Sequence, residues 1–385
     1  MPRARDPRTI AAANGVGSDT AFGAVTPPLH LSTTYLFEGF EREGSYAYSR
    51  TANPTRDQLA DTLAKLEGGA GAVVTSSGMA AVDLVLARVE PGRLVVAPHD
   101  CYGGTYRLLA ARAERRQFEI AFVNQSDPAA VAQALERGPA LLLIETPSNP
   151  LMRVVDIRAL SALAKAAGAK VAVDNTFLSP ALQQPISLGA DYVIHSTTKY
   201  LNGHSDVVGG AVIAADPADV EALTAWANMT GVTGSPFDAY MILRGVRTLF
   251  PRIERQQQNA AAVAAFLDAH PAVRVVHYPG LASHPGHKIA SAQQSGFGAM
   301  LSFDLAGGAE AARKVVESVQ VFSLAESLGG VESLVAHPAT MTHVGMGPEA
   351  RAIAGIGDGL LRLSVGLESE ADLLADLAQA LETLA

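Results

Sequence analysis

The sequence contains a single cysteine, no long apolar segment and no cluster of basic residues. Because Cys101 has no second cysteine as a partner, an internal disulfide is excluded, which is typical of a reducing cytoplasm. No apolar run approaches the roughly 18–20 residues of a membrane-spanning helix, and no apolar stretch of a secretory signal follows the N-terminal arginines. The net charge of −9 argues against nucleic acid as a partner. We therefore expect a cytoplasmic protein with neither membrane nor nucleic-acid partners.

Two common phosphate-binding motifs, GxxxxGK(S/T) and GxGxxG, are also absent. Instead, the apolar strand predicted at residues 72–74 runs into Ser76-Ser77-Gly78-Met79, and a helical pattern continues to about Val89. A strand followed by small polar residues and a helix presents backbone N–H groups at the helix N-terminus, where anions bind. A plain turn with a serine N-cap has the same pattern, so this segment alone identifies no ligand.

The 385 residues are enough for two or three domains. Within residues 46–248, short apolar strands alternate with helical patterns, which predicts parallel βαβ crossovers in a large α/β domain. Residues 249–385 have an α+β pattern typical of a smaller domain, and residues 1–45 form an arm without a core of its own. One long helix is predicted from near Phe237 to beyond Arg255, with a kink at Pro251 and the domain boundary near Thr248.

Chemically useful side chains follow two neighbouring apolar strands, predicted at residues 171–173 and 192–194. In open α/β sheets such strand ends are where ligands bind. Pyridoxal 5′-phosphate (PLP) needs an amine for a Schiff base, a carboxylate for its pyridinium nitrogen and donors for its phosphate. Taken singly, these residues are as readily surface or capping groups, but together they match the cofactor. The amine is Lys199, the carboxylate Asp174, and the phosphate donors Ser196 and Thr198.

Five segments together resemble the PLP-dependent enzymes of cysteine and methionine metabolism: DCYGGTYRLL, ETPSNPLMRVVDI, DNTFLSPALQ, TKYLNGHSDVV and AESLGGVESL. The resemblance extends over nearly the whole chain and is closest to the bacterial cystathionine γ-synthases of that family. It implies the aspartate-aminotransferase-like fold, PLP-transferase fold type I, with a large PLP-binding domain and a smaller C-terminal domain. It also implies PLP as the cofactor and a homotetramer built from dimers.

The resemblance assigns further residues to the cofactor. The Gly78 and Met79 amides would hold the PLP phosphate, and Tyr102 would stack on the PLP ring and move a proton. Tyr48 and Arg50 would hold the phosphate of the adjacent subunit, toward which the arm would extend, so that active sites are shared. From the residues alone, Tyr48 and Arg50 only face the same way in an extended segment, where an arginine fork and a phenol suit a phosphate.

Arg362 lies in an otherwise apolar strand, so we expect it to be buried beside an anionic group. The resemblance implies that this group is the α-carboxylate of an amino-acid substrate, and a structural salt bridge is the alternative. Further substrate contacts implied by the resemblance are Asn149, Arg107, Glu326 and Ser327. The histidine pairs His195/His204 and His337/His343 lack carboxylates or cysteines at ligand spacing, so we predict no metal site.

The resemblance implies γ-replacement of O-succinylhomoserine with L-cysteine, giving cystathionine and succinate in methionine biosynthesis by transsulfuration. Ala47 and Thr51 stand where enterobacterial synthases carry an acidic and a basic residue, which leaves O-acetylhomoserine open as the substrate. An O-acetylhomoserine sulfhydrylase is a further alternative within the family. The γ-elimination of a cystathionine γ-lyase also stays open, because the PLP residues are shared. Gly104 stands where methionine γ-lyases carry a cysteine, which disfavours that activity. A PLP-binding regulatory protein without turnover is disfavoured by the intact Lys199, Tyr102 and Arg362.

Overall fold

The structure of the protein is a computed structural model that describes residues 5–384. Residues 1–4 of the predicted arm and residue 385 of the predicted C-terminal domain lie outside the described residues. Within the described range the helices are α1 Pro7–Ala13, α2 Pro54–Glu67, α3 Gly78–Leu86, α4 Gly103–Glu114, α5 Pro128–Leu135, α6 Ile157–Ala166, α7 Ser179–Leu182, α8 Pro217–Thr230, α9 Pro236–Val246, α10 Leu249–Asp268, α11 His287–Gln293, α12 Gly308–Ser318, α13 Gly347–Ala354 and α14 Glu370–Glu382. The strands are β1 Gly71–Thr75, β2 Leu94–Pro98, β3 Glu119–Val123, β4 Leu141–Glu145, β5 Lys170–Asp174, β6 Tyr192–His195, β7 Gly210–Ala214, β8 Val273–His277, β9 Met300–Leu305, β10 Ser323–Leu324, β11 Leu334–Ala336 and β12 Leu360–Ser364.

The larger sheet has the strand order β1-β7-β6-β5-β4-β2-β3. Its central strands β6, β5, β4 and β2, with the edge strand β3, pair parallel, as the alternation of strands and helices predicted. The parallel prediction is wrong for β7, which pairs antiparallel with both β1 and β6. The connection from β6 to β7 contains no crossover helix, and without one the chain returns in the opposite direction. This helix-free connection carries Lys199.

Apolar side chains cover both faces of the larger sheet, because successive strand residues point to opposite sides. On one face Leu143, Ala172 and Ile194 belong to one core cluster. On the other face Ile144 and Val173 belong to a second cluster. Both faces are therefore packed against helices, and polar side chains concentrate where the strands end.

The carboxyl ends of the central strands lie side by side. Glu145, the last residue of β4, is directly opposite Asp174, the last residue of β5, and Asp174 is opposite Ile194 of β6. This register brings two carboxylates and the residues after His195 to one edge of the sheet. The fold thus assembles the residues that the sequence analysis took from separate strand ends.

The second sheet has the order β10-β11-β12-β9-β8 and is formed by residues after Thr248. Its central strand β12 carries Arg362, which is paired in register with Ser302 of β9 and Ala336 of β11. Arg362 is only 2% exposed. The domain boundary near Thr248 stays a prediction.

The predicted long helix is two helices, and its kink is not at Pro251. The break lies at Arg247 and Thr248, between α9 and α10, and Pro251 lies in the first turn of α10, where a missing N–H costs little. Arg252 spans the break, donating to Gly245 O at 2.8 Å and to Thr248 Oγ1 at 3.1 Å. The arm also contains a helix that the sequence analysis missed, α1. No helix within residues 5–384 is long and apolar enough to cross a membrane.

Candidate active site

A cavity of about 600 Å³ opens at the carboxyl ends of β4, β5 and β6 and extends to β12 of the second sheet. All the predicted site residues except Tyr48 and Arg50 line it. These residues are Gly78, Met79, Tyr102, Arg107, Asn149, Asp174, Ser196, Thr198, Lys199, Glu326, Ser327 and Arg362.

The Lys199 amine is held inside this cavity. Its Nζ donates a hydrogen bond of 2.7 Å to Ser327 Oγ, which comes from the C-terminal part of the chain. Burial, followed by the nearby charge of Arg362, lowers the pKa of Lys199 to about 8. An amine must be neutral to act as a nucleophile or base, so this environment suits Schiff-base chemistry.

The lowered pKa of Lys199 predicts a pH-dependent cost in stability. Because the folded protein binds this proton less tightly than the unfolded chain between pH 8 and the ordinary lysine value of 10.5, stability rises with pH across that window. We expect cofactor-free Lys199→Met protein to lack this rise. Its free energy of unfolding, relative to that of the unaltered protein, should fall by about 1.4 kcal/mol per pH unit between pH 8 and pH 10.5. Urea unfolding at pH 7 and pH 10 measures the difference, with the exposed Lys288→Met as control. A difference that stays constant with pH would contradict the prediction.

Two carboxyl groups lie together at the base of the cavity. Burial raises the pKa of Asp174, although the hydrogen bonds from Thr176 and the nearby His195 oppose that rise. The Thr176 backbone N–H donates to Asp174 Oδ1 at 3.0 Å. Burial and the charge of Asp174 hold the pKa of Glu145 well above its usual range. A protonated ring nitrogen beside Asp174 would supply the positive charge that this pair of carboxylates favours.

The N-terminus of α3 forms a cradle for an anion. Ser77 caps the helix by accepting a hydrogen bond of 3.1 Å from Ala80 N, and the first-turn N–H groups of Gly78 and Met79 have no intrahelical acceptor. A Cβ at position 78 would lie 2.7 Å from the Cβ of Ser196, so only glycine lets the helix approach the residues after β6 this closely. The cradle and the Ser196 hydroxyl therefore suit a phosphate.

Arg362 is held by two neutral acceptors. Its Nη1 donates to Asn149 Oδ1 and its Nη2 to the Ser327 carbonyl oxygen, both at 2.9 Å. Burial lowers the pKa of Arg362 to about 10, and its buried Nε has no partner among the described residues. Within the described part of the chain Arg362 makes no ion pair. This arrangement favours an incoming carboxylate over the structural salt bridge.

Tyr48 and Arg50 lie outside the cavity. The Arg50 guanidinium is 5.8 Å from the centre of the Tyr48 ring, so the two side chains lie on the same side of the chain. The extended segment from which this was predicted is instead a turn, in which Thr51 N and Ala52 N both donate to the Tyr48 carbonyl. Arg50 Nη1 donates to the Asn228 carbonyl and side-chain oxygens, both at 2.6 Å. Tyr48 is 49% exposed. Within one chain these residues do not reach the cavity that holds Lys199.

Several residues that line the cavity were missed by the sequence analysis. Glu145 accepts hydrogen bonds from Tyr102 N at 2.9 Å and from Asn149 N at 3.0 Å, which ties two loops of the cavity rim together. Thr176 accepts a hydrogen bond from Ser196 N at 2.9 Å. Both residues lie at or just after strand ends. The expectation that ligands bind at the carboxyl ends of strands, which selected Asp174, could therefore have selected them as well. Three further residues of the cavity wall, which were not predicted, come from the segment before α13: Met341, Thr342 and Val344.

Comparison with known proteins identifies the class. The sequence pattern of the family described as Cys/Met metabolism PLP-dependent enzymes matches residues 8–382. The chain belongs to this family, it is an enzyme that depends on PLP, and its fold is the predicted PLP-transferase fold type I. The cavity fits the cofactor, because it offers an amine, a buried carboxylate and a phosphate cradle.

Individual relatives narrow the class further. The chain is 55% identical to the cystathionine γ-synthase of Escherichia coli strain K12, over 97% of each chain. It is 44% identical to the cystathionine γ-lyase of Bacillus subtilis strain 168, over 98% of this chain and 99% of the other. Among solved structures, the cystathionine γ-synthase of Xanthomonas oryzae pv. oryzae in complex with cystathionine superposes with a TM-score of 0.98 at 56% identity, covering 99% of this chain and 98% of that one.

Proposed function

We propose that the protein catalyses the cystathionine γ-synthase reaction. In this reaction the Cγ–O bond of an O-acylated homoserine breaks, the acyl group leaves as a carboxylate, and the sulfur of L-cysteine bonds to Cγ to give cystathionine. The observation that carries the proposal is the full-length likeness to synthases, which exceeds the likeness to the lyase. When bound, PLP supplies an electron sink for negative charge that develops at the α carbon of the amino acid.

The residues that hold the cofactor are proposed as follows. Lys199 supplies the amine that attaches it, and Asp174 keeps a proton on its ring nitrogen. The amides of Gly78 and Met79, with the hydroxyls of Ser196 and Thr198, bind its phosphate. Thr198 Oγ1 is positioned by accepting a hydrogen bond from Gly209 N at 3.0 Å. Its single hydroxyl hydrogen, which donates to the Gly209 carbonyl at 3.2 Å, would turn from that carbonyl to the phosphate when the cofactor binds. Tyr102 packs against the ring and, through its phenol, carries a proton.

The substrate residues divide the work of binding and proton transfer. Arg362, with Asn149 and Ser327, holds the α-carboxylate and so sets the direction of the Cα–H bond. Lys199, as a neutral amine, takes the α proton and returns it further along the substrate. Its hydrogen bond to Ser327 Oγ keeps the amine beside the carboxylate site. Glu326 and Arg107 line the same cavity, and we propose that Arg107 faces the acyl end of the substrate.

Product analysis tests the function. Purified protein with PLP receives O-succinylhomoserine and cysteine in one reaction, O-acetylhomoserine and cysteine in a second, and cystathionine alone in a third. We expect cystathionine and succinate in the first reaction, at a higher kcat/KM than with the acetyl ester, because Arg107 offers a charge to the succinyl carboxylate. Rapid release of cysteine and α-ketobutyrate in the third reaction would instead establish the lyase. An absence of turnover in all three reactions would contradict both the synthase and the lyase function.

The assembly that we propose is a homotetramer made of dimers, in the cytoplasm, with Tyr48 and Arg50 serving the neighbouring site. Support comes from their position outside their own cavity. Apolar side chains of the same arm are also exposed: Phe22 at 95%, Leu36 at 94% and Phe40 at 93%. Such a surface on a single chain is typical of one that a second copy covers.

Mixed subunits test the shared site. Arg50→Ala and Lys199→Ala proteins are each expected to be nearly inactive, but a hybrid dimer has one site with both residues intact. Random mixing should restore about a quarter of the unaltered activity, since half of the dimers are hybrids with one good site each. Arg362→Ala mixed with Lys199→Ala is the control, because both residues line one cavity and no hybrid site is complete. If activity does not return in the first mixture, Arg50 does not serve the neighbouring subunit.

A further inference from the structure

His343 is a fully buried histidine, 0% exposed, that the proposed function leaves without a role. The pair His337/His343 was predicted to form no metal site, and no other role was predicted for His343. It lies in the segment between β11 and α13, and its neighbours Thr342 and Val344 line the cavity. A buried imidazole needs hydrogen-bond partners for its ring nitrogens.

Both ring nitrogens of His343 have partners. Nε2 is 2.9 Å from the Asn149 carbonyl oxygen and Nδ1 is 2.8 Å from Thr342 Oγ1. A carbonyl oxygen only accepts, so Nε2 carries the hydrogen, and in the neutral ring Nδ1 accepts from the Thr342 hydroxyl. Burial, followed by the charge of Arg362, lowers the pKa of His343 to about 4, so the ring is neutral near pH 7.

The partner of His343 is the residue that orients Arg362. Asn149 is held at three points: its N–H donates to Glu145 Oε1 at 3.0 Å, its Oδ1 accepts from Arg362 Nη1 at 2.9 Å, and its carbonyl accepts from His343. Each contact comes from a different part of the chain, and Asn149 itself is 3% exposed. Removing the His343 contact leaves a buried carbonyl unpaired beside the carboxylate site.

The other side of His343 faces the loop that carries Tyr102. A Cβ at Gly103 would lie 2.9 Å from the Thr342 carbonyl oxygen, so glycine there lets the Thr342 backbone pack onto the start of α4. The His343 ring is therefore clamped between the wall at Thr342 and the backbone of Asn149. A ring fixed on both sides holds its donor at one position.

We propose that His343 is a positioning residue for substrate carboxylate binding: by donating to the Asn149 carbonyl, it fixes the Asn149 side chain that orients the Arg362 guanidinium. The inference rests on the proposed role of Arg362. We call the Asn149 and Arg362 side chains the carboxylate clamp. Because the carboxylate clamp is already ordered before a ligand arrives, its affinity for a ligand that carries a carboxylate is higher. The affinity for ligands without a carboxylate does not depend on the carboxylate clamp and therefore does not depend on His343.

The test compares two small amines that bind the PLP-loaded enzyme. Glycine carries the α-carboxylate and methylamine lacks it, and the absorption change of the bound cofactor reports the dissociation constant of each. In His343→Leu the freed Asn149 carbonyl is expected to turn to another donor in the glycine-free enzyme, and that hydrogen bond must be given up when glycine binds. We therefore expect the dissociation constant of glycine to rise about ten- to a hundredfold, the range for losing one buried hydrogen bond. Methylamine should stay within about threefold. His343→Gln, which keeps an N–H donor, should bind glycine more tightly than His343→Leu.

His337 provides the matched control, because it lies in the same segment but bonds to Thr340 Oγ1 and to the Asp358 carbonyl oxygen, away from Asn149. His337→Leu should leave glycine binding unchanged. An unchanged dissociation constant for glycine in His343→Leu would overturn the proposal. An equal rise in the dissociation constant of methylamine would also overturn it, since His343 would then act only through general stability. If His343→Leu does not fold, His343→Met carries the test: its flexible side chain adapts to the buried site but has no N–H donor for the Asn149 carbonyl, and unchanged glycine binding in it would overturn the proposal equally.

The two proposals fail separately. Glycine has no γ-substituent, so its binding does not depend on which γ-reaction the enzyme performs. An enzyme that makes no cystathionine would sink the proposed function and leave the glycine comparison valid.

Discussion

Replacing Lys199 with alanine is expected to lower kcat by about 10³-fold or more, because in the proposed function one side chain supplies both the attachment of the cofactor and the acid–base group. The amine lies in the cavity, hydrogen-bonded to Ser327 Oγ at 2.7 Å, and no other described lysine lines that cavity. Borohydride treatment should therefore fix PLP covalently to the unaltered protein and not to Lys199→Ala. Steady-state kinetics and the mass of the reduced protein measure the two effects.

Lys288→Ala is the matched control for this experiment. Lys288 is an exposed lysine in the first turn of α11, away from the cavity, so its removal should change neither kcat nor the amount of fixed cofactor. A borohydride-stable PLP adduct on Lys199→Ala would show that another amine attaches the cofactor, and the assignment of Lys199 would be wrong.

Replacing Arg362 with leucine is expected to lower kcat/KM by about 10²- to 10⁴-fold, the range for losing two hydrogen bonds to a charged carboxylate. The geometry supports a bidentate grip, because Asn149 Oδ1 and the Ser327 carbonyl hold the two Nη atoms and fix the plane of the guanidinium. Arg362→Lys keeps a charge but not the fork, so it should recover only part of the loss. Steady-state kinetics with the acylated homoserine measure both variants.

The control for Arg362 is an arginine on the edge strand of the same sheet. Arg274 on β8 is 61% exposed and pairs at 3.5 Å with Asp304, so Arg274→Leu should change kcat/KM little. The cofactor spectrum gives a second readout. Because Arg362 is assigned to the substrate and not to PLP, Arg362→Leu should still bind PLP. Full activity in Arg362→Lys would mean that charge alone suffices and that the fork is not used.

The position of the site was predictable because it follows from local patterns. Lys199 and Asp174 each follow an apolar strand, and the carboxyl ends of parallel strands meet at one edge of a sheet, so separate signals in the sequence converge on one place. For Gly78 the local pattern left an anion site and a plain turn both open, and the family resemblance assigned it to the PLP phosphate. Arg362 was selected for a different reason, since an arginine within an apolar strand is buried and needs hydrogen-bond acceptors.

The misses have an equally physical origin. The direction of β7 was predicted wrongly because an apolar strand has the same pattern in either orientation, and only its partners β1 and β6 decide it. The break between α9 and α10 lies at Thr248, where the apolar periodicity shows no interruption, while Pro251 is harmless in a first turn.

The sequence by itself therefore determined the alternation of strands and helices and the edge of the sheet that gathers the candidate residues, because both depend on short-range periodicity and on residue type. The fold type and the reaction followed from the resemblance of whole segments to a known family. Only the tertiary structure decided that Glu145 joins two rim loops, that Tyr48 and Arg50 lie outside their own cavity, and that His343 holds Asn149. The last two residues are separated by 194 positions. No local pattern specifies such a contact, since it forms only when the second sheet packs its loops against the carboxyl ends of the first.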